Sequence, residues 1–305
     1  MSDSERADEI LRAERRVVVG IDGFGNSRAP LDWALNEAVR RSVELEVVHA
    51  FGPGYDVSSS GIPGPVIDIS RYEAAAKAYV DEVVGTIHAK QRAALPSLQR
   101  VVIPSAPGAA LVDASERASM LVVGRRGRGA VTGLLGSVSH QCVHHAHCPV
   151  TVVPPDWTQM PVRKIVVGID GSAESERALR WALAEAAQWR AELVVVHAWF
   201  TPYPVEPWGV VVTPTDRDRF DVEARELIEA SVSAAVRDGA PEPSWAAMAI
   251  EDASGSALVQ ASSDADLLVV GSRGRGGFRA LLLGSTSLQC LHHAHCPVTV
   301  VRGGE

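Results

Sequence analysis

Short continuous apolar runs, each bounded by glycine or polar residues, predict buried strands over residues 16–21, 45–50, 101–103, 120–124 and 150–153. Between these runs the apolar spacing changes from every residue to every third or fourth. Leu31, Ala34, Leu35, Ala38 and Val39 give residues 30–41 one apolar face, which predicts a helix. Further helices are predicted at about 72–92, at 108–117, and from Gly136 to just before Cys148-Pro149. Residues 52–66 are rich in Gly, Pro and Ser and predict an exposed loop.

The pattern is written twice. VVVGIDG at 17–23 returns as IVVGIDG at 165–171, and VVHA at 47–50 returns at 195–198. HHAHCPVTVV at 144–153 returns unchanged at 292–301. Asp22 and Asp170 are 148 residues apart, as are His144 and His292. The second copy places strands at 164–169, 193–198, 245–250, 267–271 and 298–301. Two tandem domains follow, residues 15–155 and 162–303, joined by a Pro- and Trp-bearing linker. Strands separated by helices of this length require right-handed crossovers and a mainly parallel sheet covered on both faces, an α/β doubly wound fold. Ligands of such sheets lie beyond the carboxyl ends of the strands, where strand order switches. That rule sets Asp22, Ala50 and Gly124 on one rim, and Asp170, Ala198 and Gly271 on the other.

Composition narrows the classes. At 305 residues, with 46% apolar and 22% charged residues, each half can bury a core. A net charge of −8 argues against nucleic acid or an anionic membrane as partner, so an anionic ligand needs a local site. Cys142, Cys148, Cys290 and Cys296 are too few for a secreted disulfide framework in this length of chain. The polar start, MSDSERADEILRAERR, has no apolar core of a signal peptide, and no run approaches the roughly 18 apolar residues that span a bilayer. The expectation is a reduced, soluble, cytoplasmic protein.

The chemistry centres on LLVVGSRGRGGFRALLLGSTS at 267–287 and its copy LVVGRRGRGAVTGLLGSVS at 121–139. A buried strand, a glycine loop and a helix start bearing hydroxyls suit a phosphate group. Glycines let the backbone approach, and the helix end offers free N–H groups and the positive dipole. The loop is not a Walker P-loop, because the lysine of G-x-x-x-x-G-K-[ST] is missing, nor does it carry the dinucleotide fingerprint. Arg126 and Arg273 are positioned to meet ribose or phosphate, or to be solvated loop arginines. Asp22 and Asp170 either contact a ribose, a base edge or a phosphate-bound metal, or form an Asx-turn or helix cap after their strands. His140 and His144, at i and i+4, suggest a metal, but the residue matching His140 is Leu288, so no metal site is assigned. Cys142 and Cys290 read as small core residues, and no G-x-S-x-G elbow is present.

With G-x2-G-x9-G-S after the fourth strand, V-G-I-D-G in the first and C-P-V-T-V-V at the end, the chain resembles the universal stress protein family over residues 15–301. It looks like the tandem two-domain form found in actinobacteria, in the ATP-binding subclass. The resemblance implies a five-stranded parallel sheet in each domain, in order 3-2-1-4-5. It further implies ATP with its phosphates on the glycine loop and last helix, any Mg2+ being bound through the phosphates. By the same likeness Asp170 contacts the nucleotide and the Ala198 backbone the adenine. Val270, Gly271, Arg273 and Gly274 hold ribose and phosphates, and Gly284, Ser285, Thr286 and Ser287 complete the cradle. The matching first-domain residues are Asp22, Ala50, Val123, Gly124, Arg126, Gly127, Gly136, Ser137, Val138 and Ser139. Eight residues separate Gly127 from Gly136, against nine between Gly274 and Gly284, so the second domain is expected to bind more tightly. The family also implies pairing of the two domains through their last strands, and homodimerisation. The expected function is a stress or energy-state regulator without catalytic residues, since fast phosphoryl transfer needs a cationic clamp and a positioned base. The alternative is a slow Mg2+-dependent ATPase or nucleotide hydrolase using Asp22 or Asp170.

Overall fold

The computed structural model describes residues 16–23, 27–51, 69–90, 97–125, 135–158, 161–200, 214–275 and 282–302. The chain divides into two compact units, Met1–Asp156 and Trp157–Glu305. In the first, strands β1 (Arg16–Gly20), β2 (Glu44–Ala50), β3 (Leu98–Ile103), β4 (Ala118–Gly124) and β5 (Val150–Val153) alternate with helices. These are α1 (Arg28–Arg41), α2 (Ile69–Lys90), α3 (Pro107–Ser115) and α4 (Ser137–His145). The second unit repeats the order with β6 (Lys164–Gly168), β7 (Glu192–Trp199), β8 (Trp245–Glu251), β9 (Leu267–Gly271) and β10 (Val298–Val301). Its helices are α5 (Ala173–Trp189), α6 (Pro214–Arg237), α7 (Ser254–Ala261) and α8 (Ser285–His293).

Within each unit the strands pair in parallel, in the order β3-β2-β1-β4-β5 and β8-β7-β6-β9-β10. Both are the expected 3-2-1-4-5 arrangement. The valine runs explain why β1 and β6 are central. Val17, Val18 and Val19 are fully buried, as are Ile165, Val166 and Val167. A strand covered on both faces has no room for alternation. Helices α5 and α6 pack together, and so do α7 and α8, which covers the second sheet with one pair on each side.

Several boundaries differ from the sequence expectation by one to three residues, and two of the shifts have a clear physical reason. β3 begins at Leu98, three residues earlier than its apolar run, because Gln99 and Arg100 keep the register with Glu46 and Val47. An edge strand tolerates polar side chains that an interior one excludes. Ile21 and Ile169 fall just past β1 and β6 but stay buried, and their N–H groups still reach Val48 and Val196. The loop expected at 52–66 lies outside the described residues.

Candidate functional site

The carboxyl ends of β6, β7 and β9 converge beside the start of α8, and a cavity of about 440 Å3 opens there. All ten second-domain residues singled out from the sequence line it: Asp170, Ala198, Val270, Gly271, Arg273, Gly274, Gly284, Ser285, Thr286 and Ser287. A volume of this size falls within the range of small-ligand pockets, about 300–1,000 Å3. Gly168, Ile169, Val196 and Leu258 form the apolar part of the wall, while Arg275, Ser175 and Ser254 add polar groups.

The turn after β6 is fixed by Asp170. Its Oδ1 accepts the Ser172 N–H at 3.0 Å and the Ser172 hydroxyl at 2.6 Å. Its Oδ2 accepts the Arg275 N–H at 2.7 Å, which ties the glycine loop to the first strand across 105 residues. Gly171 sits at φ +73, a backbone that side-chain-bearing residues rarely adopt. The Ser172 hydroxyl also accepts from the Ser175 N–H at 3.2 Å and so caps α5. The Asx-turn, the helix cap and the loop anchor are thus one network. Burial works against ionisation of Asp170, but the hydroxyls of Ser172 and Ser175 and the N–H groups of Arg275 and Ser172 outweigh it. The carboxyl is held below its usual range, as an anion.

A group with a lowered folded-state pKa adds stability above the ordinary carboxylate range and loses it as pH falls through the folded value. Asp170→Asn is therefore expected to cost about 1 kcal/mol at neutral pH, low for charged hydrogen bonds because the carboxylate is only half-buried. The gap should close on acidification, as read from urea unfolding of both proteins between about pH 7 and about pH 3.

Gly274 lies against this carboxylate. A Cβ there would stand 2.4 Å from Asp170 Oδ2. A Cβ at Gly271 would meet the backbone of Glu174 at 3.0 Å. The guanidinium of Arg273 bonds Glu174 Oε1 at 3.1 Å. Helix α8 starts at Gly284, an N-cap without a side-chain hydrogen bond, and its first turn carries no acidic residue. The Gly284 N–H donates to Ser272 O at 2.8 Å. The first-turn N–H groups of Ser285, Thr286 and Ser287 have no intrahelical acceptor, and all three residues line the cavity. The Ser287 hydroxyl, however, donates to Gly271 O at 2.7 Å. It joins helix to strand, so what Ser287 offers a ligand is its N–H.

The first unit builds the same frame. Ala50 and Gly124 end β2 and β4, Val123 is buried in β4, and Gly136 precedes α4 without a side-chain cap. The Gly136 N–H donates to Arg125 O at 2.9 Å, and the Ser139 hydroxyl to Gly124 O at 2.6 Å. The shorter loop therefore keeps two of the bonds that hold the ends of the longer one, while the counterpart of the Asp170–Arg275 bond falls outside the described residues. Ser137 is exposed, and Val138 takes the place of Thr286. The Asp22 carboxylate receives the Ser27 hydroxyl at 2.9 Å, and Phe24 stands where the second copy has Ser172. Arg126 and Gly127 lie outside the described residues.

Residues that sequence reading missed arrive from distant elements. Leu258 of α7 presses on Gly168, where a Cβ would sit 2.6 Å from its Cδ1, and Leu111 presses on Gly20 at the same distance. Glycine ending a valine run was the available signal, since it marks close approach of another group. Burial pushes the Cys142, Cys148 and Cys290 thiols up to about 12, as small core residues require. Among the described residues no group of three or more His, Cys, Asp or Glu side chains is placed to hold a metal. None of the described helices is long and apolar enough to cross a membrane.

A sequence model described as the universal stress protein family matches residues 14–154 and again 161–302. The chain is 32% identical over 292 residues to universal stress protein Rv2623 of Mycobacterium tuberculosis, covering 94% of this chain and 96% of that one. It is 36% identical over 303 residues to universal stress protein Rv2005c of the same organism, covering 95% and 98%. A crystal structure of a universal stress protein from Archaeoglobus fulgidus superposes with a TM-score of 0.62 at 22% identity, covering 96% of this chain and 97% of that one. That likeness is one of fold.

Proposed function

The chain belongs to the universal stress protein family, and on that premise we propose that its second unit binds ATP as a cytoplasmic sensor of stress or energy state. The observation that carries this reading is the convergence of Asp170, the glycine loop and the bare start of α8 on one cavity. The apolar floor of Ile169, Val196 and Leu258 suits a base, and the N–H groups of α8 with Arg273 and Arg275 suit phosphates. Gly274 lets the loop close onto Asp170, which fixes the backbone that would meet the phosphates. Any Mg2+ would enter through the phosphates. These residues bind and orient; they do not make an efficient hydrolase. Asp170, the carboxylate nearest the loop, already accepts three protein donors and is held ionised, so it is a weak proton acceptor.

Two measurements test the reading. Heat-denatured purified protein should release adenine nucleotide into the supernatant, and nucleotide-free protein should bind ATP saturably while turning it over slowly or not at all. Absence of both carry-over and titratable binding would overturn the ATP reading. Turnover abolished by Asp170→Ala would replace the sensor with an enzyme.

A further inference from the structure

Two carboxylates stand near a site built for a polyanion, and they are not equivalent. Asp170 is consumed by protein donors. Glu174, in the first turn of α5, reaches the cavity only through Arg273, whose Nη2 lies 3.1 Å from Glu174 Oε1. Arg177 approaches the same oxygen at 3.5 Å. The Glu174 backbone abuts Gly271, where a Cβ would lie 3.0 Å from its carbonyl, so this residue is fixed against the end of β9. Its side chain is 20% exposed, against 40% for Arg273, so water screens it less than the cation it holds. The first copy has neutral Asn26 at the corresponding position, 148 residues earlier, which makes the carboxylate a property of the second unit.

The geometry points to Glu174 as a charge selector: by sharing Arg273 it biases the cavity against the free triphosphate and toward nucleotides carrying less negative charge, whether through fewer phosphates or a bound divalent cation. This rests on the nucleotide reading above. Each phosphate charge attracted by Arg273 also meets the carboxylate already paired with it. The bias therefore grows with the charge of the ligand. Glu174 touches no ligand directly; it positions and partly neutralises the arginine that does.

The test is calorimetric titration of the full chain with AMP, ADP, free ATP and Mg2+-saturated ATP at low salt, in wild type, Glu174→Gln and Glu174→Ala. Removing the charge should raise affinity for free ATP by about threefold to tenfold and for AMP by less than about twofold, with ADP between them. Saturating Mg2+ should shrink the gain for ATP. Mere loosening of the loop would move all four ligands alike, so an equal change across them, or a loss for ATP, overturns the selector. If wild type binds none of the four, the nucleotide reading falls and the selector with it. If it binds them and the ratios stay fixed in both variants, only the selector falls.

Discussion

Gly274→Asp is expected to abolish nucleotide binding by the whole chain, a loss of roughly a hundredfold or more, whereas Gly127→Asp costs far less. The asymmetry follows from what each copy has kept. A Cβ at Gly274 would stand 2.4 Å from Asp170 Oδ2, the atom that accepts the Arg275 N–H. Even alanine must break that anchor, which for this half-buried carboxylate costs about 1 kcal/mol, roughly fivefold in affinity when the loop must be reformed on binding. Aspartate adds a negative charge beside an existing carboxylate and in the path of phosphates. In the first copy the loop is one residue shorter, Val138 replaces Thr286, and Pro107, without an N–H, starts the helix that corresponds to α7. That unit has fewer groups to lose. Titrating the two variants separately with ATP, and melting each to confirm folding, checks the prediction. Equal losses from both would mean that the two units share the binding.

Much of this arrangement was legible in the sequence because two of its causes are local. β-branched runs such as residues 17–19 and 165–167 read as interior strands of a covered sheet, and the helical spacing between the strands calls for parallel crossovers. Strand ends then converge by topology, which is how ten residues spread over more than a hundred positions were brought to one cavity. The parts that stayed hidden depend on hydrogen-bond direction and on distant packing. Asp170 was open between ligand contact and Asx-turn; its carboxylate in fact serves the turn and the loop together. Ser285 and Ser287 look alike in sequence, yet one is exposed at the cavity rim and the other is buried with its hydroxyl on Gly271 O. Leu258 and Ser254 reach the wall from α7, and no local pattern marks them. Glu174 was unreadable as well, since its pairing with Arg273 spans 99 residues.

Ser285→Asp is expected to raise stability and destroy binding in the same molecule. Ser285 is exposed in the first turn of α8, a helix whose N-cap is glycine and whose first turn has no acidic residue. A carboxylate there meets unpaired N–H groups and the positive end of the dipole, which stabilises the helix by about 0.3–1 kcal/mol. The same carboxylate occupies the electrostatic position proposed for phosphate. At separations of a few ångströms the repulsion of like charges near a protein surface amounts to about 1–3 kcal/mol, roughly tenfold to a hundredfold in affinity for ATP. Ser285→Asn, which supplies polarity without charge, should change affinity by less than about threefold. Melting temperature and ATP titration on the three proteins separate two roles for this helix end. If it is an anion site, stability and affinity move in opposite directions for aspartate alone. If aspartate stabilises the fold and leaves ATP affinity unchanged, the phosphates do not lie against α8, and the reading that joins this helix to the glycine loop is wrong.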